Sequence, residues 1–138
     1  MGRIMAIDYG QKRVGLAVTD ELQLIATGLE TIHVKDLFAY LTRYVSENTV
    51  ERFVVGEPKT LRNEKSDSSR FVDPFVKKLK KTFPHIPVSR MDERFTSVMA
   101  HQTMRDAGLG KKARQNKELV DTISATLILQ SWIDMNGK

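Results

Sequence analysis

Cysteine is absent from the 138 residues, so disulfides, thiolate nucleophiles and cysteine-ligated zinc are excluded. That suits a reducing compartment, and the expectation is a cytoplasmic protein. Long hydrophobic runs are missing as well: no stretch of ~18 apolar residues is available to span a membrane, and Asp8 falls too early for a signal-peptide core. The chain reads as soluble, with no membrane partner. Glycine and proline are sparse, at 8 and 4 residues, and with 28% charged and 41% hydrophobic residues the chain is neither low-complexity, fibrous nor disordered. Histidine is scarce too. His33, His85 and His101 stand at no metal-ligand spacing, and no Ser-His-Asp assembly is supported. What is present suffices for one domain spanning residues 1–138, because domains typically run to ~100–200 residues.

Positive charge is unevenly spread. The net charge is +5, yet residues 59–117 carry 15 basic and 6 acidic side chains, a local +9 that leaves the remainder at −4. A cationic stretch of this kind is a footprint for phosphate backbones, since neutralising them releases condensed counterions. The competing reading is that Lys77, Lys78, Lys80 and Lys81 solvate the outer face of a helix.

Hydropathy patterning predicts the elements. Arg3–Asp8 and Arg13–Asp20 read as a hairpin, the second strand alternating Val14, Leu16 and Val18 with the small Gly15, Ala17 and Thr19, a face that a helix or ligand can approach closely. A third strand covers about 27–33. Leu37, Phe38, Leu41, Tyr44 and Val45 then fall on one helical stripe between Asp36 and Asn48. Arg52–Gly56 reads as a buried strand, followed by a polar loop over 59–66. Phe71, Val72, Phe75, Val76 and Leu79 mark a second helix, which Pro74 either opens or kinks. Ile86–Met91 is a strand whose Pro87 confines it to a sheet edge. Thr96–Ala107 and about 116–134 complete the series as helices. The order β-β-β-α-β-α-β-α-α describes an α/β fold, a mixed sheet flanked by helices.

Three carboxylates stand where solvated surface acids are not expected. Asp8 ends an apolar strand, at the carboxyl end where open α/β sheets place ligands. Glu93 follows the later strand just before a helix begins. Asp121 is the third: at about 100° per residue, Ala125, Ile128 and Trp132 fall within about 40° of it, so it projects from an apolar stripe toward the sheet. Carboxylates gathered inside a fold repel one another unless a cation or a hydrogen-bond donor compensates, and a hard divalent ion such as Mg²⁺ or Mn²⁺ is the natural compensation. Each acid also has a plain structural reading. Asp8 can cap its turn through the amides of Gly10 or Gln11, Glu93 can pair with Arg90 or Arg94, and Asp121 can sit in the favourable field of a helix start. Their joint placement on three separated elements favours a metal site. Glu57, after the Val54–Gly56 run, reads as a loop anchor or a fourth ligand.

The strings Asp8-Tyr9-Gly10-Gln11-Lys12-Arg13-Val14-Gly15-Leu16-Ala17, Val55-Gly56-Glu57-Pro58, Asp92-Glu93-Arg94-Phe95-Thr96-Ser97 and Val120-Asp121-Thr122-Ile123-Ser124-Ala125 together resemble the YqgF family, also called RuvX, over essentially the whole chain. The resemblance implies a ribonuclease H-like fold, a five-stranded mixed sheet in order 3-2-1-4-5, whose edge strand five agrees with Pro87. It implies that Asp8, Glu93 and Asp121 are the catalytic, metal-binding acids of a Mg²⁺- or Mn²⁺-dependent nuclease. Members of that family are described both as Holliday junction resolvases, by similarity to RuvC, and as nucleases maturing the end of the small-subunit ribosomal RNA precursor. Glu57 departs from the apolar residue common there. Lys12, Arg13 and Arg94, beside the acids, are the expected grips for phosphates, with Lys111, Lys112 and Arg114 extending the nucleic-acid track. For Arg94 the alternative is a salt bridge that orients Glu93. Expected partners are precursor ribosomal RNA or branched DNA, and ribosomal particles.

Two rivals belong to other classes. An ATP-handling relative of the actin and hexokinase fold also begins with an acid and glycines on a strand-turn-strand, but 138 residues leave no second lobe to close over a nucleotide. A non-catalytic assembly factor keeping the fold and basic face is separated from a nuclease only by a cleavage assay.

Overall fold

The computed structural model describes residues 2–10, 12–57, 69–92 and 117–136. Within them the chain forms β1 (Arg3–Tyr9), β2 (Arg13–Thr19), β3 (Ala26–His33), a single 3-10 turn at Val34–Asp36, α1 (Leu37–Glu47), β4 (Val50–Glu57), α2 (Ser69–Thr82), β5 (Val88–Asp92) and α3 (Lys117–Met135). The strands make one sheet in the order β3-β2-β1-β4-β5, with β2 antiparallel to both neighbours and β4 parallel to both β1 and β5. The sheet order is the one the ribonuclease H-like resemblance implied.

Period-two alternation divides the side chains into two cores. Met5, Ile7, Val14, Leu16, Val18, Phe53 and Val55 face α1 and α2, where they meet Leu37, Leu41, Val72, Phe75, Val76 and Leu79. The opposite residues Ile4, Ala6, Ala17 and Val54 face α3 and pack on Ala125, Ile128, Leu129 and Ile133. The sheet is thus sandwiched between helices, and because β1 and β4 are covered on both faces their central segments, Ile4–Ile7 and Phe53–Val55, are apolar and buried. Among the described residues no helix is long and apolar enough to cross a membrane.

Of the two readings the sequence left open for Pro74, the structure shows the earlier start: α2 spans Ser69–Thr82 and Pro74 lies inside it. Proline there removes one backbone donor, but Val72, Phe75, Val76 and Leu79 bury the helix on both sides of it, which outweighs a single lost bond. β5 begins at Val88, after Pro87 rather than around it. The Pro87 carbonyl still accepts the Phe53 N–H at 2.9 Å, so the proline contributes its acceptor at the mouth of the edge strand. The expected helix over 96–107 and the loop over 59–66 lie outside the described residues.

Candidate active site

Asp8 is the penultimate residue of β1, and alternation sets it on the face of Ile4 and Ala6, the face that α3 covers. β1 pairs Asp8 with Gly15, and β2 pairs Gly15 with Thr31. A transverse row Asp8–Gly15–Thr31 therefore crosses three strands. The helix α3 lies directly on this row. A Cβ built on Gly15 would stand 2.6 Å from the carbonyl carbon of Asp121 and 3.1 Å from its Cβ, and one on Gly28 would stand 2.5 Å from the Thr122 Cγ2. Both glycines are needed because helix and sheet meet at less than side-chain distance. The hydroxyls of Thr31 and Thr122 hydrogen-bond to one another at 2.8 Å, fixing the helix on the row. Asp121 is thereby seated over Gly15, the strand partner of Asp8.

Arg13 opens β2 on the same face. Its Nε donates to the Asp121 carboxylate at 2.8 Å, and the two side chains are 35% and 22% exposed. A cation is already held at one of the two acids. Asp121 is the fifth residue of α3, past the first turn where the helix dipole acts, so a favourable field at the helix start does not account for its placement. Nor does Gly10 serve Asp8 as a simple turn cap, since its N–H donates to the Arg13 carbonyl at 3.0 Å. On the opposite face Tyr9 stacks on Phe75 with ring centroids 4.2 Å apart, which pins the end of β1 next to Asp8. Burial pushes the Tyr9 hydroxyl pKa upward.

The other site elements converge from the far side of β1. β4 runs parallel to β1 with Ile7 in register with Val55, and β5 runs parallel to β4 with Gly56 opposite Met91 and Glu57 opposite Asp92. The carboxyl ends of β1, β4 and β5 therefore lie at one end of the sheet, and the chain leaves β5 at Asp92, immediately before Glu93. Glu93 itself, with Arg94, Lys111, Lys112 and Arg114, lies outside the described residues, and Glu57 is placed by its backbone alone. Lys12 is exposed in the β1–β2 turn, and its carbonyl accepts the Val34 N–H at 2.9 Å.

Among the described residues no group of three acids or histidines is assembled for an ion; what they supply is Asp8 and Asp121 flanking one glycine. The donor set is carboxylate oxygen, which fits a hard divalent ion. Sequence reading singled out Asp8, Asp121 and the small face of β2, which the structure places on one face of the sheet. It missed Thr31, Thr122 and Gly28, which fix the helix on the sheet. The only available signal for them was a glycine inside the β3 pattern, which marks a close approach of another element.

The model of the RuvX family, described as Holliday junction resolvase, matches residues 2–135. A protein of Phocaeicola vulgatus is 56% identical over 97% of this chain and 96% of its own length, and one of Bacteroides fragilis is 54% identical over 97% of both; each is named "Putative pre-16S rRNA nuclease". A homologue of the same name from Flavobacterium psychrophilum is 53% identical over 96% of this chain and 97% of its own. Among solved structures, Thermus thermophilus RuvC in complex with a Holliday junction substrate superposes with a TM-score of 0.58 over 99% of this chain and 97% of that one, at 17% identity, a likeness of fold.

Proposed function

The chain belongs to the RuvX family, and from that premise we propose that it is a divalent-metal-dependent nuclease acting on structured RNA, trimming the 5′ end of the 16S ribosomal RNA precursor. The observation that supports this reading is the seating of Asp121 over Gly15, the strand partner of Asp8, at the end of the sheet from which Glu93 follows. Relatives at more than half identity over nearly the whole chain bear the corresponding name. Asp8, Asp121 and Glu93 are the residues that would hold the metal.

A pair of Mg²⁺ or Mn²⁺ ions bound there would supply an activated water and stabilise the leaving oxygen of a phosphodiester. The chain's own residues do the rest. Asp8, on a strand buried on both faces, offers a fixed carboxylate. Asp121 is aimed from a helix that the Thr31–Thr122 bond and two glycines hold in one register. Lys12, Arg94, Lys111, Lys112 and Arg114 grip phosphates on either side of the scissile bond, and recognition rests on shape and backbone because no base-reading motif is present.

The family description favours a second substrate, a four-way DNA junction. A parallel assay separates the two: a 5′-extended 16S precursor and a four-way junction, at matched salt, with Mg²⁺ or Mn²⁺. Shortened RNA is the expected product, and Asp8→Asn should cleave about a hundredfold or more slowly while still binding, as befits a ligand worth several kcal/mol in the transition state. Cleavage of the junction alone would transfer the activity to DNA. Binding without cleavage of either substrate would make the chain an assembly factor, and undiminished cleavage by Asp8→Asn would place the active site elsewhere.

A further inference from the structure

The Arg13–Asp121 contact joins residues 108 positions apart and links a phosphate-gripping candidate to a metal-ligand candidate. Arg13 and Gly15 lie two residues apart on one face of β2, and Gly15 is the strand partner of Asp8. The guanidinium therefore enters on the side of the sheet where both acids are gathered. Two carboxylates placed together repel one another, and a neighbouring cation relieves that repulsion. At Asp121 the guanidinium of Arg13 supplies such a cation. Its Nε occupies Oδ2 of Asp121, an oxygen a divalent ion would coordinate.

We infer that Arg13 is a positioning residue that stands in for the divalent ion at Asp121, holding the carboxylate in place until the ion arrives and yielding its oxygen when the ion binds. The inference rests on the metal-dependent reading above and adds an exchange to it. Arg13 and the ion compete for one oxygen, so each weakens the other's hold on Asp121. Once displaced, the guanidinium, whose side chain is already 35% exposed, is available to a phosphate of the substrate. Arg13 then serves Asp121 and the nucleic acid in turn, and the ion decides which.

The test needs the intact protein and Mn²⁺ alone, with no substrate. Titration calorimetry on wild type, Arg13→Gln and Arg13→Lys measures ion affinity, and the ¹⁵N–¹H correlation of the Arg13 Nε in wild type follows the contact directly. Arg13→Gln should bind Mn²⁺ about three- to tenfold more tightly, because a full positive charge beside the ion is removed. Arg13→Lys, which keeps the charge, should stay near wild type. Diamagnetic Mg²⁺ should move the Arg13 Nε–H resonance toward its position in Asp121→Asn. Equal or weaker Mn²⁺ binding by Arg13→Gln, or an Nε–H resonance that Mg²⁺ leaves unmoved, would overturn the exchange while leaving the metal site intact. Failure of wild type to bind Mn²⁺ at all would overturn the metal-dependent reading and this inference with it. Should Arg13→Gln fail to fold, the wild-type resonance decides alone.

Discussion

Gly15 sets how closely the two acids of the candidate site approach the same point of the sheet. It pairs with Asp8 in the sheet, and it alone leaves room for the backbone of Asp121, with which any Cβ at that position would collide. Gly15→Ala should therefore push α3 off β2, destabilising the protein by about 3 kcal/mol, the upper end of ordinary overpacking, because helix backbone cannot move aside as a side-chain tip can. Urea unfolding measures this, and an unchanged midpoint would show that the helix accommodates the methyl. Asp8 and Asp121 were legible as single residues because an acid inside an apolar pattern is conspicuous. Thr31 and Thr122 were not, since a threonine on a strand or helix looks like any other until its partner, 91 positions away, is known.

At the scale of elements, the loop between β2 and β3 shows how one carboxylate organises a turn. Asp20 accepts the backbone N–H groups of Leu22 at 3.1 Å, Leu24 at 2.9 Å and Ile25 at 2.8 Å. Gln23, with φ of 59° in the left-handed region, is held there by side-chain bonds to the Gly2 carbonyl at 2.8 Å and to Glu51 at 2.6 Å. The Ile25 N–H is the largest influence on the Asp20 carboxyl; desolvation opposes it, and the N–H groups of Leu24 and Leu22 add to it, so the pKa falls below its ordinary 3.8. A depressed pKa in the folded state means that the contribution to stability is complete above the unfolded value and disappears as pH falls through the folded one. Acid titration of stability should thus be shallower for Asp20→Asn than for wild type below about pH 4. Parallel curves would remove Asp20 from the account. Strand and helix types were readable throughout the described elements because their periods differ. Their ends were less so: Pro74 lies inside α2, and β5 starts at Val88, one residue past Pro87.

For the molecule as a whole, the proposed binding to RNA is expected to follow the charge distribution. The segment 59–117 carries a local +9 against −4 elsewhere, so association with RNA should be driven by counterion release rather than by base contacts. If about five phosphates are neutralised, affinity should fall on the order of 100- to 500-fold between ~50 and ~200 mM salt. A much flatter dependence, measured by fluorescence anisotropy with cleavage blocked by Asp8→Asn, would mean that the basic stretch solvates a helix face instead. The sheet supplies the complementary constraint. β1, β4 and β5 end together, so their last residues lie at one end of the sheet whatever their separation along the chain.

Taken alone, the amino-acid sequence determined the element types, the two amphipathic helices α1 and α2, the confinement of Pro87 to the margin of the sheet and two of the acids worth attention, because each of these is a local preference or a short-period pattern. Tertiary structure decided how they meet. That Asp121 sits over the glycine opposite Asp8, that Arg13 reaches the helix rather than solvent, and that two threonines lock the contact depend on contacts between residues far apart in the chain, and no local pattern encodes such distances.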